Sequence, residues 1–218
     1  MVVSKKRMSS RMVSKQQQLR WLQEGRGQGQ LDTYKPFLNV RDNKSLTERS
    51  SRVYGYKTQR THHLFSDLEL ALFLALDRIQ DIEDIREQIP LDLETTVQIA
   101  EDLKIPHPIE QNVHQIITST FFIVNHSPLK PPCFVVKALK STHLELKRTI
   151  AQLELERRYW EQKNIPWFLF TEKDISSTAI DNIKWLYPLN KVNNDIYTFS
   201  KMDFYQNYFL QKPELTLI

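Results

Sequence analysis

The chain has 218 residues, and only four are glycine: Gly25, Gly27, Gly29 and Gly55. No G-x-x-x-x-G-K-[ST] phosphate cradle, strand-borne G-x-G-x-x-G or G-x-S-x-G elbow can be written in it. Each needs glycine where backbone approaches a ligand or turns sharply, so nucleotide hydrolysis, dinucleotide redox work and α/β-hydrolase chemistry are set aside. Cys133 is the only cysteine, which excludes an intrachain disulfide and a thiolate zinc cluster.

Charge is unevenly placed. Residues 1–60 hold 14 Lys/Arg and 4 Asp/Glu, whereas residues 61–218 hold 16 and 22, so a segment of net +10 precedes a body of net −6. A basic third points to a phosphate backbone as partner, or to a solvated arm. The longest apolar stretch, Leu68 to Leu76, is nine residues and contains Glu69. It is too short to span a bilayer, so no membrane partner is expected. The N-terminus lacks the apolar core of a secretory signal, and its basic, acid-free opening suits either a transit peptide or a nucleic-acid-binding arm.

Residues 1–18 read as a disordered basic arm, and residues 19–60 as irregular. The Gly25–Gly29 segment, with Arg26 and Gln28, reads as a flexible basic strip able to follow DNA. Ser66 opens a largely buried helix. Ile82–Ile89 suits an edge strand before Pro90, and Thr95–Leu103 a short helix. Val113–Val124 is rich in β-branched and aromatic residues and reads as one strand. Cys133–Leu139 reads as a buried strand, His143–Lys163 as a helix, and Ile165–Phe170 as a fully buried strand. A last helix runs from the Ser176 cap to Tyr187, and an aromatic tail without pattern follows. Leaving out the short 95–103 helix, the order is α–β–β–β–α–β–α.

Several residues stand out. Lys137 is a lone charge in an apolar strand, so it either snorkels from an edge or stands poised beside a metal-bound water. Glu69 completes an S-x-x-E capping box with Ser66, or faces a cleft. His62-His63 reads as a loop pair, at the surface or in the core, with no third ligand at a zinc-like spacing. The run Asp77 to Asp102 carries nine carboxylates against two arginines, as a solvated face or as a dock for a basic partner.

The segments WLQEGRGQGQ (21–30), RVYGYKTQRTHHLFSDLELALFLAL (52–76), IEDIREQIPL (82–91), LELERRYWEQKNIPWFLFTEKDI (153–175) and IKWLY (183–187) resemble TnsA, the endonuclease subunit of heteromeric cut-and-paste DNA transposases. The resemblance covers residues 19–187. It implies an α/β fold with a restriction-endonuclease-like core, a mixed central sheet flanked by helices. Residues 188–218 then form a short aromatic tail in place of the family's C-terminal domain.

The resemblance also implies Mg²⁺-dependent cutting of the 5′ strands at transposon ends by PD-(D/E)xK chemistry. The implied partners are the double-stranded DNA ends and a TnsB-like transposase. Contact with a TnsC-like ATPase would normally use the missing C-terminal domain. The implied compartment is the bacterial cytoplasm, at the nucleoid. The family's metal-binding glutamate falls on Glu69 and its lysine on Lys137. Its aspartate position is occupied by Thr120, and the glutamine two before the lysine by Val135. A hard cation wants anionic oxygen, so weak or absent cleavage is expected, with a non-catalytic DNA-binding or structural subunit as the alternative. Glu145 and Glu154 are the candidate replacement carboxylates. Arg26, Gln28, Lys57, Arg60, His62 and His63 are the expected DNA-contacting set.

Overall fold

A computed structural model gives the fold over residues 13–42, 49–126 and 128–186. Residues 1–12 of the expected arm, Tyr187 and the 188–218 tail lie outside the described residues. The chain divides into two units between Thr171 and Glu172.

Helix α1, Lys15–Gln23, starts inside the expected arm, with the Ser14 hydroxyl accepting the Gln17 N–H. Its buried face is Gln18 and Trp21. Strands β1 (Ser51–Gly55) and β2 (Arg60–Leu64) form an antiparallel hairpin. The irregular reading of 19–60 and the loop reading of His62-His63 both give way here. The hairpin buries Arg60 and His62 alongside Leu64, so its inner face lacks the apolar alternation that marks an ordinary strand.

Helix α2, Asp67–Leu76, begins at Ser66 as the capping box predicts. The Ser66 hydroxyl accepts the Glu69 N–H at 3.0 Å, and the Glu69 carboxylate returns to the Phe65 N–H at 2.7 Å, one residue before the cap. Strand β3 (Ile82–Pro90) and helix α3 (Leu93–Leu103) follow. The expected 113–124 strand is split into β5 (Val113–His114), which pairs with β4 (Ile109–Glu110), and β6 (Thr118–Asn125). Gln18 of α1 causes the break: its side chain donates to the His114 carbonyl and accepts the Ile116 N–H, taking bonds a ladder would use.

Strand β7 (Cys133–Ala138), helix α4 (Lys147–Gln162), strand β8 (Trp167–Phe170) and helix α5 (Ser177–Leu186) complete the order. The single helix expected over 143–163 is a short 3-10 turn, Ser141–Glu145, then an extended Leu146, then α4. The main sheet runs β3-β6-β7-β8, antiparallel except for the parallel β7–β8 pair that α4 connects. Strand β8 is an edge, so Phe168 is 54% exposed instead of buried. Phe121 of β6 meets Phe73 of α2 on one side of the sheet. Leu91, Ile99, Val135, Leu155, Tyr159 and Trp160 form the core beneath α3 and α4.

The outer edge of β3 is occupied as well. Arg60 donates to the Ile85 carbonyl, the Tyr34 hydroxyl to the Glu87 carbonyl, and the Phe37 N–H to the Gln88 carbonyl.

Candidate nuclease site and the DNA-facing segments

Lys137 projects from β7 toward α4. Its ammonium donates to the Thr118 carbonyl at 2.8 Å and pairs with the Glu156 carboxylate at 3.0 Å. Glu156 is almost fully buried, and its second oxygen accepts the Trp167 indole N–H at 3.1 Å. Lys137 is only partly exposed, at the edge of a cleft, and such a cation needs a partner; the strand lysine therefore does not stand alone. Sequence reasoning named Glu145 and Glu154 and passed over Glu156. The signal was there, because Glu156 lies three residues after Leu153 and four before Trp160, on the helix stripe that faces the core.

Thr120 is buried on β6, and its hydroxyl accepts the Ala138 N–H of β7 at 3.1 Å. The neighbouring Ser119 hydroxyl accepts the Trp160 indole N–H at 2.8 Å. Thr120 and Lys137 thus sit on adjacent strands, just past the paired stretch that ends at Phe121 and Val136. Glu69 lies on α2, which packs against β7, with a carboxylate oxygen on the Phe65 amide. A cleft of about 400 Å³ opens beside Lys137, lined by Gln115, Thr118, His143, Gln152 and Glu156; neither Glu69 nor Thr120 lines it. Val135 is fully buried in the core under α4.

The glycine strip is tightly built. Gly27 and Gly29 have φ of +82° and +92°, and a Cβ on Gly27 would clash with the Cγ of Pro90. Arg26 spends its guanidinium on Asp42, on Glu24 and on the Phe37 carbonyl, above the Trp21 ring. Gln28 is exposed.

Arg60 and His62 are buried around Glu87. Arg60 gives Glu87 a bidentate pair at 2.8 and 2.6 Å. His62 Nδ1 lies 2.8 Å from Glu87, and its Nε2 lies 2.6 Å from the Thr58 hydroxyl. The His63 N–H adds a further bond to Glu87 at 3.1 Å. Burial alone would push the Glu87 carboxyl up, but His62 and Arg60 outweigh it and hold the group well below the usual carboxylate range. The His63 ring is half-buried and accepts the Val40 N–H; burial lowers its pKa. Lys57 sits in the hairpin turn, partly exposed. Of the six expected DNA contacts, Arg26, Arg60 and His62 are thus committed inward, while Gln28, Lys57 and part of His63 face outward.

A family model described as the N-terminal domain of TnsA-like endonucleases matches residues 80–172. The chain is also 46% identical over 169 residues to the transposon Tn7 transposition protein TnsA of Escherichia coli, an alignment that takes in 77% of this chain and 61% of that protein. Over that alignment the chain is TnsA-like. The matched region includes Thr120, Lys137 and Glu156 and stops short of Glu69. The observed mixed sheet with flanking helices is the fold the TnsA resemblance implies.

TnsA-like endonucleases are generally metal-dependent, so the donor set here can be tested for fit. Among the described residues, no three His, Cys, Asp or Glu side chains converge as a metal site would require. Thr120 presents a neutral hydroxyl that already accepts an amide hydrogen. The carboxylate nearest Lys137 is neutralised by that lysine. A divalent hard cation is poorly served by this set, and the residues present do not fit it. No described helix is long and apolar enough to cross a membrane.

Proposed function

We propose that this chain is a TnsA-like transposase subunit that seats on double-stranded DNA at the ends of its element and cuts the 5′ strands weakly or not at all. Its role is then to complete a transposition complex beside a TnsB-like transposase, which supplies 3′ cutting and joining, in the cytoplasm at the nucleoid. One observation carries the reading: Lys137 is held at 3.0 Å by the buried Glu156. It is supported by the resemblance, which implies that Thr120 takes the family's aspartate position. An ammonium tied to a buried carboxylate has lost the freedom to position an attacking water, and a threonine hydroxyl supplies no anionic ligand.

The discriminating experiment is strand nicking of end-containing duplex with Mg²⁺ and the TnsB-like partner, comparing wild type with Thr120→Asp. An aspartate oxygen can accept the Ala138 N–H as the threonine does, but Thr120 is buried and a carboxylate there costs stability unless it is paired, so thermal unfolding of the variant is measured beside nicking. Val135→Gln is a poor companion, because Val135 is fully buried in the apolar core, where an unpaired amide costs about 1–3 kcal/mol. Nicking confined to Thr120→Asp supports the reading. Wild-type nicking at the rate of Thr120→Asp overturns it.

A further inference from the structure

The β1–β2 hairpin has two different faces. Its register pairs Arg52 with His63 and Tyr54 with Thr61, and these four side chains share the outer face. The inner face carries Val53, Gly55, Arg60, His62 and Leu64. Arg52, Tyr54 and Thr61 are exposed, and Arg52 makes no ion pair among the described residues. From Arg49 through Ser66 the sequence holds Arg49, Arg52, Lys57 and Arg60 and no carboxylate. With Arg60 consumed inside, the remaining cations lie on the outer face, the turn and the approach to β1.

The hairpin is also held rigidly. Glu87 grips its inner face through Arg60 and His62. At the other end, the Asp77 carboxylate accepts the backbone N–H groups of Tyr56 and Lys57, pinning the turn. Tyr54 packs edge-on to Tyr56 and bonds Gln59 through its hydroxyl. A two-stranded ribbon fits the DNA major groove, which is about 12 Å wide. Guanidinium, phenol and hydroxyl groups on such a ribbon are donors for phosphate oxygens and base edges.

We infer that the outer face of this hairpin is a DNA-contacting ribbon, with Arg52, Tyr54 and Thr61 against the duplex and Lys57 at its tip on a phosphate. The inference rests on the DNA-binding part of the proposed function and goes further by naming the surface. It also separates the basic residues of this segment by role: Arg60 and His62 fasten the ribbon, and Arg52 and Lys57 touch the nucleic acid.

The test is fluorescence anisotropy of the full chain on a labelled end-containing duplex across a salt series. Each lost phosphate contact lowers the slope of log affinity against log salt by about 0.9. Arg52→Ala/Lys57→Ala is expected to reduce that slope by about 2 and to weaken binding about tenfold or more at low salt. Tyr54→Ala weakens binding with the slope kept. Lys104→Ala removes an exposed charge at the C-cap of α3, outside the hairpin, and leaves both quantities unchanged. Thermal unfolding of Arg52→Ala/Lys57→Ala and of Lys104→Ala matches wild type, because those side chains point outward, whereas Tyr54→Ala also loses its contacts to Tyr56 and Gln59 and is read at a temperature where it is fully folded. Wild-type binding with an unaltered slope in Arg52→Ala/Lys57→Ala overturns the ribbon. An equal loss in Lys104→Ala also overturns it, since only long-range charge would then be at work. A wild-type chain that binds no duplex at any salt overturns the underlying functional reading instead.

Discussion

Glu87→Gln removes the charge at the centre of the buried network and leaves its shape. The carboxylate is fully buried and accepts from both Arg60 terminal nitrogens at 2.8 and 2.6 Å, from the His63 N–H at 3.1 Å, and contacts His62 Nδ1 at 2.8 Å. A glutamine keeps one acceptor oxygen but turns an NH₂ toward groups that donate. Breaking a buried pair on one side costs about 3–5 kcal/mol, so a loss of about 3 kcal/mol at pH 7 is expected. Urea unfolding followed by tryptophan fluorescence measures it, with an unchanged m-value showing that the transition is still two-state. The pH dependence has a defined sign. Glu87 is held below its ordinary pKa in the fold, so its contribution is complete above the unfolded value of about 4.3 and is lost as pH falls toward the folded value. The variant's deficit therefore narrows below about pH 4. A penalty under about 1 kcal/mol at pH 7, or an equal penalty at pH 3, refutes the view that a charged Glu87 fastens the hairpin to β3.

Gly55→Ala places a Cβ 2.6 Å from His62 Nε2 and 2.7 Å from the Thr58 hydroxyl. It should cost about 1–3 kcal/mol in the same unfolding assay. Glu156→Gln leaves Lys137 facing a neutral amide in a buried setting and should destabilise by about 2–4 kcal/mol. Combining it with Lys137→Met should return a good part of that loss, and a double-mutant cycle reads the coupling directly. Additive losses would show that the two side chains do not act as a pair.

The sheet was legible because β6 and β7 carry the β-branched and aromatic runs that pleated, half-buried surfaces favour, because the isoleucines of β3 stand just before Pro90, and because α2 and α4 carry apolar residues at helical spacing. The hairpin was not legible. Its inner face uses Arg60 and His62, which look like surface residues until Glu87, twenty-five residues beyond His62, is placed beneath them. The split of the 113–124 segment depends on Gln18, about a hundred residues earlier in the chain, and no local pattern reports that contact. At the site, Lys137 was recognised as a charge in need of a partner. Its partner Glu156 was missed because acidic residues on a charged helix read as solvent-facing. The glycine strip was read as flexible from composition alone, whereas Gly27 is required by the approach of Pro90.

The covering of β3 has a consequence for how the protein behaves in solution. An edge strand with open carbonyls is a template for a stranger's strand, and such edges are common starting points of aggregation. Here three side-chain and backbone donors from the Tyr34–Phe37 segment and from Arg60 close the Ile85, Glu87 and Gln88 carbonyls in turn. The Tyr34–Phe37 segment and Arg60 thus serve as a selvedge for the β3 side of the sheet: the weave is finished there, and the β8 side is the edge left for a second molecule to meet.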